Sequence, residues 1–127
     1  MSVLSRSLLP DTAEVRDGRL VVGGCDVVEV AAELGTPLFL YDEAHLRARC
    51  REARAAFGEG VSYATKAFLC RAMAALAHEE GLHLDVSTGG EYHVVRSAGI
   101  AADRLVLHGN NKSSDELRQA MADGIGR

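Results

Sequence analysis

The chain has 127 residues, 47% hydrophobic and 25% charged, which is enough apolar material for the core of a globular domain. Its formal charge of −4 argues against a general nucleic-acid binder, which carries a basic face. No apolar stretch approaches the roughly 20 residues that cross a bilayer, and "MSVLSRSLLPDTAEVRDGR" lacks the apolar run of a secretory signal. A cytoplasmic protein with neither membrane nor nucleic-acid partner is the expectation. Cys25, Cys50 and Cys70 form no C-x-x-C and no cluster at metal-ligand spacing, so reduced packing thiols and no metal are expected.

In chain order, "RLVVGG" reads as a strand and turn. "DVVEVAAELG" reads as a short helix with Val27, Val30, Ala31 and Leu34 on one side. Residues 1–35 thus form an N-terminal arm. From residue 36 the pattern becomes regular. Strand-like runs begin at "PLFLY" (37–41), "VSYAT" (61–65), "HLDVS" (83–87) and "LVLHG" (105–109), and their first strand residues, Leu38, Val61, His83 and Leu105, are 23, 22 and 22 residues apart.

Each interval holds a helix pattern. Asp42 is placed to cap the first, with Leu46, Cys50, Ala53 and Phe57 on one face and Gly58 as its stop. Leu69, Ala72, Met73 and Leu76 stripe the second, which ends at Gly81. Thr88 and Glu91 have the spacing of a capping box before Val94, Val95 and Ala98, with Gly99 closing the helix. Ser113 and Glu116 repeat the box before Leu117, Ala120 and Met121, and Gly124 closes that unit.

Consecutive β/α units imply parallel strands, either in an open doubly wound sheet or in a (β/α)8 barrel. The turn after the first run reads "YDEAH", without a Gly-rich nucleotide fingerprint, which favours the barrel. The expected fold is therefore α/β, residues 36–127 being the first four units of a (β/α)8 TIM-like barrel. The chain stops at "GIGR", where a fifth strand is due, so half a barrel is expected, truncated before strand 5.

Alternation then sorts the side chains. Ser62, Ala64 and Lys66 share one face, and His83, Asp85 and Ser87 share another. Leu82, Leu84 and Val86 should meet the helices, with Val106 and His108 as the inward pair of the last strand. Lys66, Asp85, Ser87 and His108 would converge at the carboxyl ends of the strands, where barrel enzymes place their chemistry. Plainer readings stand beside these. A strand-end lysine is commonly a solvated head on an apolar stem, and Asp85 can simply pair with a structural cation. His83 reads as a packing or surface histidine, while His108, Asn110 and Lys112 also suit a polar loop.

"GTPLFLYD", "YATKAF", "LDVSTGGE" and "HGNNKS", in this order and spacing, resemble the diaminopimelate decarboxylases. These are fold-type III pyridoxal-phosphate enzymes built on an alanine-racemase-like barrel with an added β domain. The resemblance runs from about Gly35 to the end. "KAF" replaces the commoner "KAN", which leaves the lysine in place.

The resemblance implies that Lys66 holds pyridoxal 5'-phosphate as a Schiff base and that Asp85 lies close to it. His108 is implied as a further cofactor contact and Asn110 as a substrate contact. It implies decarboxylation of meso-2,6-diaminopimelate to L-lysine and CO2, the last step of bacterial lysine synthesis, in a homodimer whose N-terminal arm joins the β domain. The family's phosphate loop and proton-donating cysteine would lie beyond Arg127, so these 127 residues alone are expected to be inactive. An ornithine or arginine decarboxylase of the same type and a non-catalytic pyridoxal-phosphate-binding protein are the alternatives.

Overall fold

The computed structural model describes residues 5–127 and divides the chain into two compact units, Met1–Arg49 and Cys50–Arg127. The first four residues of the expected arm lie outside the described residues.

The first unit is built on an antiparallel meander of β1 (Glu14–Arg16), β2 (Arg19–Val22) and β3 (Cys25–Asp26). Two-residue turns join the strands, with Arg16 opposite Arg19 and Val22 opposite Cys25. Asp17 and Gly18 both take positive φ, 51° and 77°, the twist that suits a tight hairpin. Asp26 then caps α1 (Val27–Leu34), accepting from the Val28 and Glu29 amides at 2.8 and 3.1 Å.

Residues 37–41 carry no strand, contrary to the expectation for "PLFLY". A strand needs a neighbour to complete its ladder, and this segment joins neither sheet. Its Leu38, Phe39, Leu40 and Tyr41 are exposed.

Asp42 does begin α2 (Glu43–Phe57) as expected. It is buried and accepts from the His45 amide at 3.2 Å and from the Thr12 hydroxyl, while Thr12 Oγ1 accepts from Gly23 N–H at 2.9 Å. Burial alone would raise the Asp42 pKa. The Thr12 hydroxyl and the His45 and Ala44 amides outweigh it and hold the carboxyl below its ordinary 3.8. Asp42→Ala removes a helix cap and strands the Thr12 hydroxyl. It should cost about 1–2 kcal/mol in denaturant unfolding, and an unchanged midpoint would refute the capping role.

The second unit holds a parallel sheet in the order β4 (Ser62–Ala64), β5 (His83–Val86), β6 (Leu105–Leu107). Ala64 pairs with Asp85, and Asp85 with Val106, so the rows run level across the sheet. Each crossover carries a helix: α3 (Arg71–Glu79) between β4 and β5, and α4 (Gly89–Ser97) between β5 and β6. Helix α5 (Ser114–Ala122) follows β6.

The alternation expected of β5 is what is found. Leu84 and Val86 are wholly buried, as is Leu105 of β6, together with Met73, Ala74, Leu76 and Ala77 of α3, Val95 of α4 and Ala120 of α5. His83 and Asp85 occupy the other face and are partly exposed. Several stripe residues read as core are not covered among the described residues: Phe57 is 80% exposed and Met121 77%.

The cysteines also depart from expectation. Only Cys50 is buried. Cys25 and Cys70 are exposed, and Cys70 Sγ caps α3 by accepting from the Met73 amide at 3.5 Å.

After α5 the backbone returns to the sheet. Arg127 donates to the Leu105 carbonyl at 3.3 Å and its own carbonyl accepts from Leu107 N–H at 2.8 Å, which is parallel pairing with β6. Gly126 makes this return possible, since a Cβ there would sit 2.2 Å from the Asp103 carbonyl oxygen.

Candidate cofactor site

Strand β4 ends at Ala64, and the chain then makes a single 3-10 turn over Thr65–Ala67 that carries Lys66. The alternation expected to place Lys66 with Ser62 and Ala64 therefore stops at Ala64, before Lys66 is reached. Thr65 turns inward and is 1% exposed, whereas Lys66 is exposed. Among the described residues the Lys66 amine has no hydrogen-bond or ion-pair partner.

Asp85 of β5 pairs with Ala64, two residues before Lys66. One of its carboxylate oxygens, Oδ2, stands 3.3 Å from His108 Nδ1, while Oδ1 is buried and makes no hydrogen bond. His108 follows β6 and continues its ladder, its N–H bonding the Val86 carbonyl at 2.9 Å. Asp85 and His108 are thus brought together, as the strand pattern required. Asn110 lies exposed in the loop beyond them, and Lys112 turns back to donate to the His108 carbonyl at 2.5 Å.

His83, at the amino end of β5, has its pKa lowered by burial and by the positive fields of Arg104 and Arg127. It sits at the opposite end of β5 from Ser87, in keeping with a packing role.

The loops after β5 and β6 are fixed by glutamates at the helix starts. Thr88 accepts from the Glu91 amide at 3.1 Å, but the Glu91 side chain reaches past it to Ser87 N–H at 2.5 Å, so the expected capping box is only half formed. Ser113 and Glu116 do form the full box. The second oxygen of Glu116 also accepts from Gly89 N–H, the first residue of α4, at 2.7 Å. Sequence spacing gave Glu116 a local role only, and this contact across 27 residues was not legible there. On the far side, Tyr92 donates to Asp123 Oδ2 at 2.5 Å, and burial, followed by that bond and charge, pushes its pKa up to about 12.

The Glu116 carboxyl is held below its ordinary 4.5, first by the Ser113 amide and then by the Gly89 amide and the Ser113 hydroxyl. A carboxylate depressed by folding contributes its stabilisation above the unfolded pKa and loses it as pH falls through the folded one. Glu116→Gln should therefore melt below the parent protein at neutral pH, and the gap should close on acidification below 4.5. An equal gap at neutral pH and at about pH 3 would contradict this.

Residues 43–127 match the family described as pyridoxal-dependent decarboxylase, pyridoxal binding domain. The chain belongs to the pyridoxal-dependent decarboxylase family. Diaminopimelate decarboxylase of Mycobacterium tuberculosis is 50% identical over 111 residues, which are 86% of this chain and 25% of that protein. A crystal structure from Aquifex aeolicus superposes with a TM-score of 0.85 at 34% identity, over 91% of this chain and 29% of that one. Diaminopimelate decarboxylase from M. jannaschii in co-complex with L-lysine gives 0.79 at 27% identity, over 92% and 29%.

The chain spans about a quarter of the length of the curated relatives it matches. Pyridoxal phosphate is the family's cofactor, and the residues at the carboxyl end of β4 and β5 fit it. Lys66, with an exposed amine, follows two residues after the strand partner of Asp85, whose second carboxylate oxygen is buried and unbonded. Among the described residues no group of three or more His, Cys, Asp or Glu is placed to hold a metal ion, and no helix is long and apolar enough to cross a membrane.

Proposed function

We propose that the protein decarboxylates meso-2,6-diaminopimelate to L-lysine and CO2, the last step of bacterial lysine synthesis, with pyridoxal phosphate held covalently by Lys66. The observation that carries this reading is the placement of Lys66 on the turn after β4, two residues past the strand partner of Asp85, in a chain 50% identical to a diaminopimelate decarboxylase. The L-lysine in the M. jannaschii structure supports a product of that class.

When bound, the cofactor supplies an electron sink for the pair left behind by the departing carboxylate. The chain's own residues do the rest of what can be assigned. Lys66 offers an amine whose exposure leaves it free to trade partners. Asp85 offers its unbonded Oδ1 as an acceptor for a cationic or donor group in the site. His108 holds the other carboxylate oxygen and so fixes the orientation of Asp85, and it would border the cofactor. Asn110 would contribute to substrate binding.

On the same reading, residues 36–127 are the first four units of a (β/α)8 barrel. The arm over residues 1–35, whose meander β1–β2–β3 is a ready element of a larger sheet, joins an added β domain. The working protein would be a cytoplasmic homodimer.

The substrate test is CO2 release by the complete protein from meso-diaminopimelate, ornithine and arginine in parallel. Release from meso-diaminopimelate alone is expected. Release from ornithine or arginine instead would move the protein to another branch of the family.

A further inference from the structure

A three-residue 3-10 turn is marginal by itself, and the turn that carries Lys66 has no side-chain cap at Ala64. Two hydroxyl groups hold it instead. Tyr63 Oη donates to the Phe68 carbonyl at 2.8 Å, a bond that closes over the residues from Ala64 to Ala67, Lys66 among them. Thr65 Oγ1 donates to the Asp85 carbonyl at 2.9 Å and so ties the turn to the neighbouring strand. Both bonds are partly buried, and Thr65 is 1% exposed.

The result is asymmetric. The backbone on either side of Lys66 is fastened, while its own side chain is exposed and unattached. The Thr65 bond also ends on the residue whose carboxylate meets His108, so the backbone of the turn and that of Asp85 share one anchor.

We infer that Tyr63 and Thr65 are positioning residues that hold the Lys66 backbone in register with Asp85 and so set the approach of its amine to an aldehyde. This rests on the reading of Lys66 as the cofactor lysine. Neither hydroxyl need touch cofactor or substrate. Their effect passes through the backbone, where a displacement of about 1 Å at a reacting group can cost on the order of a hundredfold in rate.

Lys66 and Lys112 are the two lysines of the chain, which provides an internal reference. Lys112 is held differently, by the His108 carbonyl, on another loop. The complete protein, freed of cofactor, is exposed briefly to pyridoxal phosphate and then to borohydride, and both lysines are read by peptide mass spectrometry. Labelling joins the amine nitrogen to the aldehyde carbon with loss of water, and hydride makes the bond permanent.

Tyr63→Phe keeps the ring and removes only the donor. It should lower the early Lys66-to-Lys112 labelling ratio about tenfold. Thr65→Val should act in the same direction, and Thr65→Ser should restore the parental ratio. A purely structural loss would loosen the fold and leave the ratio unmoved, so an unchanged ratio in Tyr63→Phe, whatever its melting temperature, overturns the inference. Should the parent protein label Lys112 but not Lys66, the cofactor assignment itself fails, an outcome distinct from the first.

Discussion

On the proposed function, Lys66→Ala in the complete protein is expected to reduce decarboxylation by on the order of a thousandfold or more, the scale seen when a covalent catalyst is deleted. It should do so almost without cost to folding. The side chain is exposed and makes no polar contact among the described residues, so its removal should shift stability by no more than about 0.5 kcal/mol. The paired measurements are turnover of meso-diaminopimelate and the denaturant midpoint. Residual turnover near the parental value would remove Lys66 from the chemistry. A large fall in midpoint would instead show that the amine was part of the fold. Arginine at this position is no substitute, because a guanidinium stays protonated and cannot form the bond.

Leu84→Ala should give the opposite result. Leu84 lies in the central strand of the parallel sheet, wholly buried on the face that meets the helices, while its neighbour Asp85 faces the other way. Truncation leaves a cavity in a packed layer and should cost about 2–5 kcal/mol, read as a lowered midpoint with unchanged cooperativity. Asp85→Asn, one residue along, should leave the midpoint nearly in place and lower activity. If both variants lost stability equally, the two faces of β5 would not be divided between fold and site as the exposure pattern indicates.

The parallel order of the last three strands was legible from their even spacing and from β5, which buries Leu84 and Val86 on one face, a burial that writes a period of two into the sequence. The glycine stops were legible too, since Gly58, Gly81, Gly99 and Gly124 all take positive φ. The hairpin turn at Asp17–Gly18 carried an equally plain signal, a D-G pair between short strand-forming runs, yet β1 was not anticipated. "PLFLY" shows the limit of such reading. Apolar composition marks a segment able to enter a sheet, but pairing depends on a neighbour that no local pattern specifies. Lys66 was singled out as a candidate by the type of its neighbours. Its 3-10 turn was not, because the bonds that hold the turn run from Tyr63 to Phe68 and from Thr65 to Asp85, contacts made only in three dimensions. Phe57 and Met121 were read as core from their helical spacing, which reports a stripe and not what covers it.

Glu116 carries a consequence for motion. One carboxylate grips the first amide of α4 and the cap residue of α5, so the segments that follow β5 and β6 cannot open separately without breaking a charge-assisted bond. Amide exchange at Gly89 and at Ser113 should then slow and quicken together. The two loops would answer an incoming molecule as a single plate, with a hinge on neither side of that carboxylate.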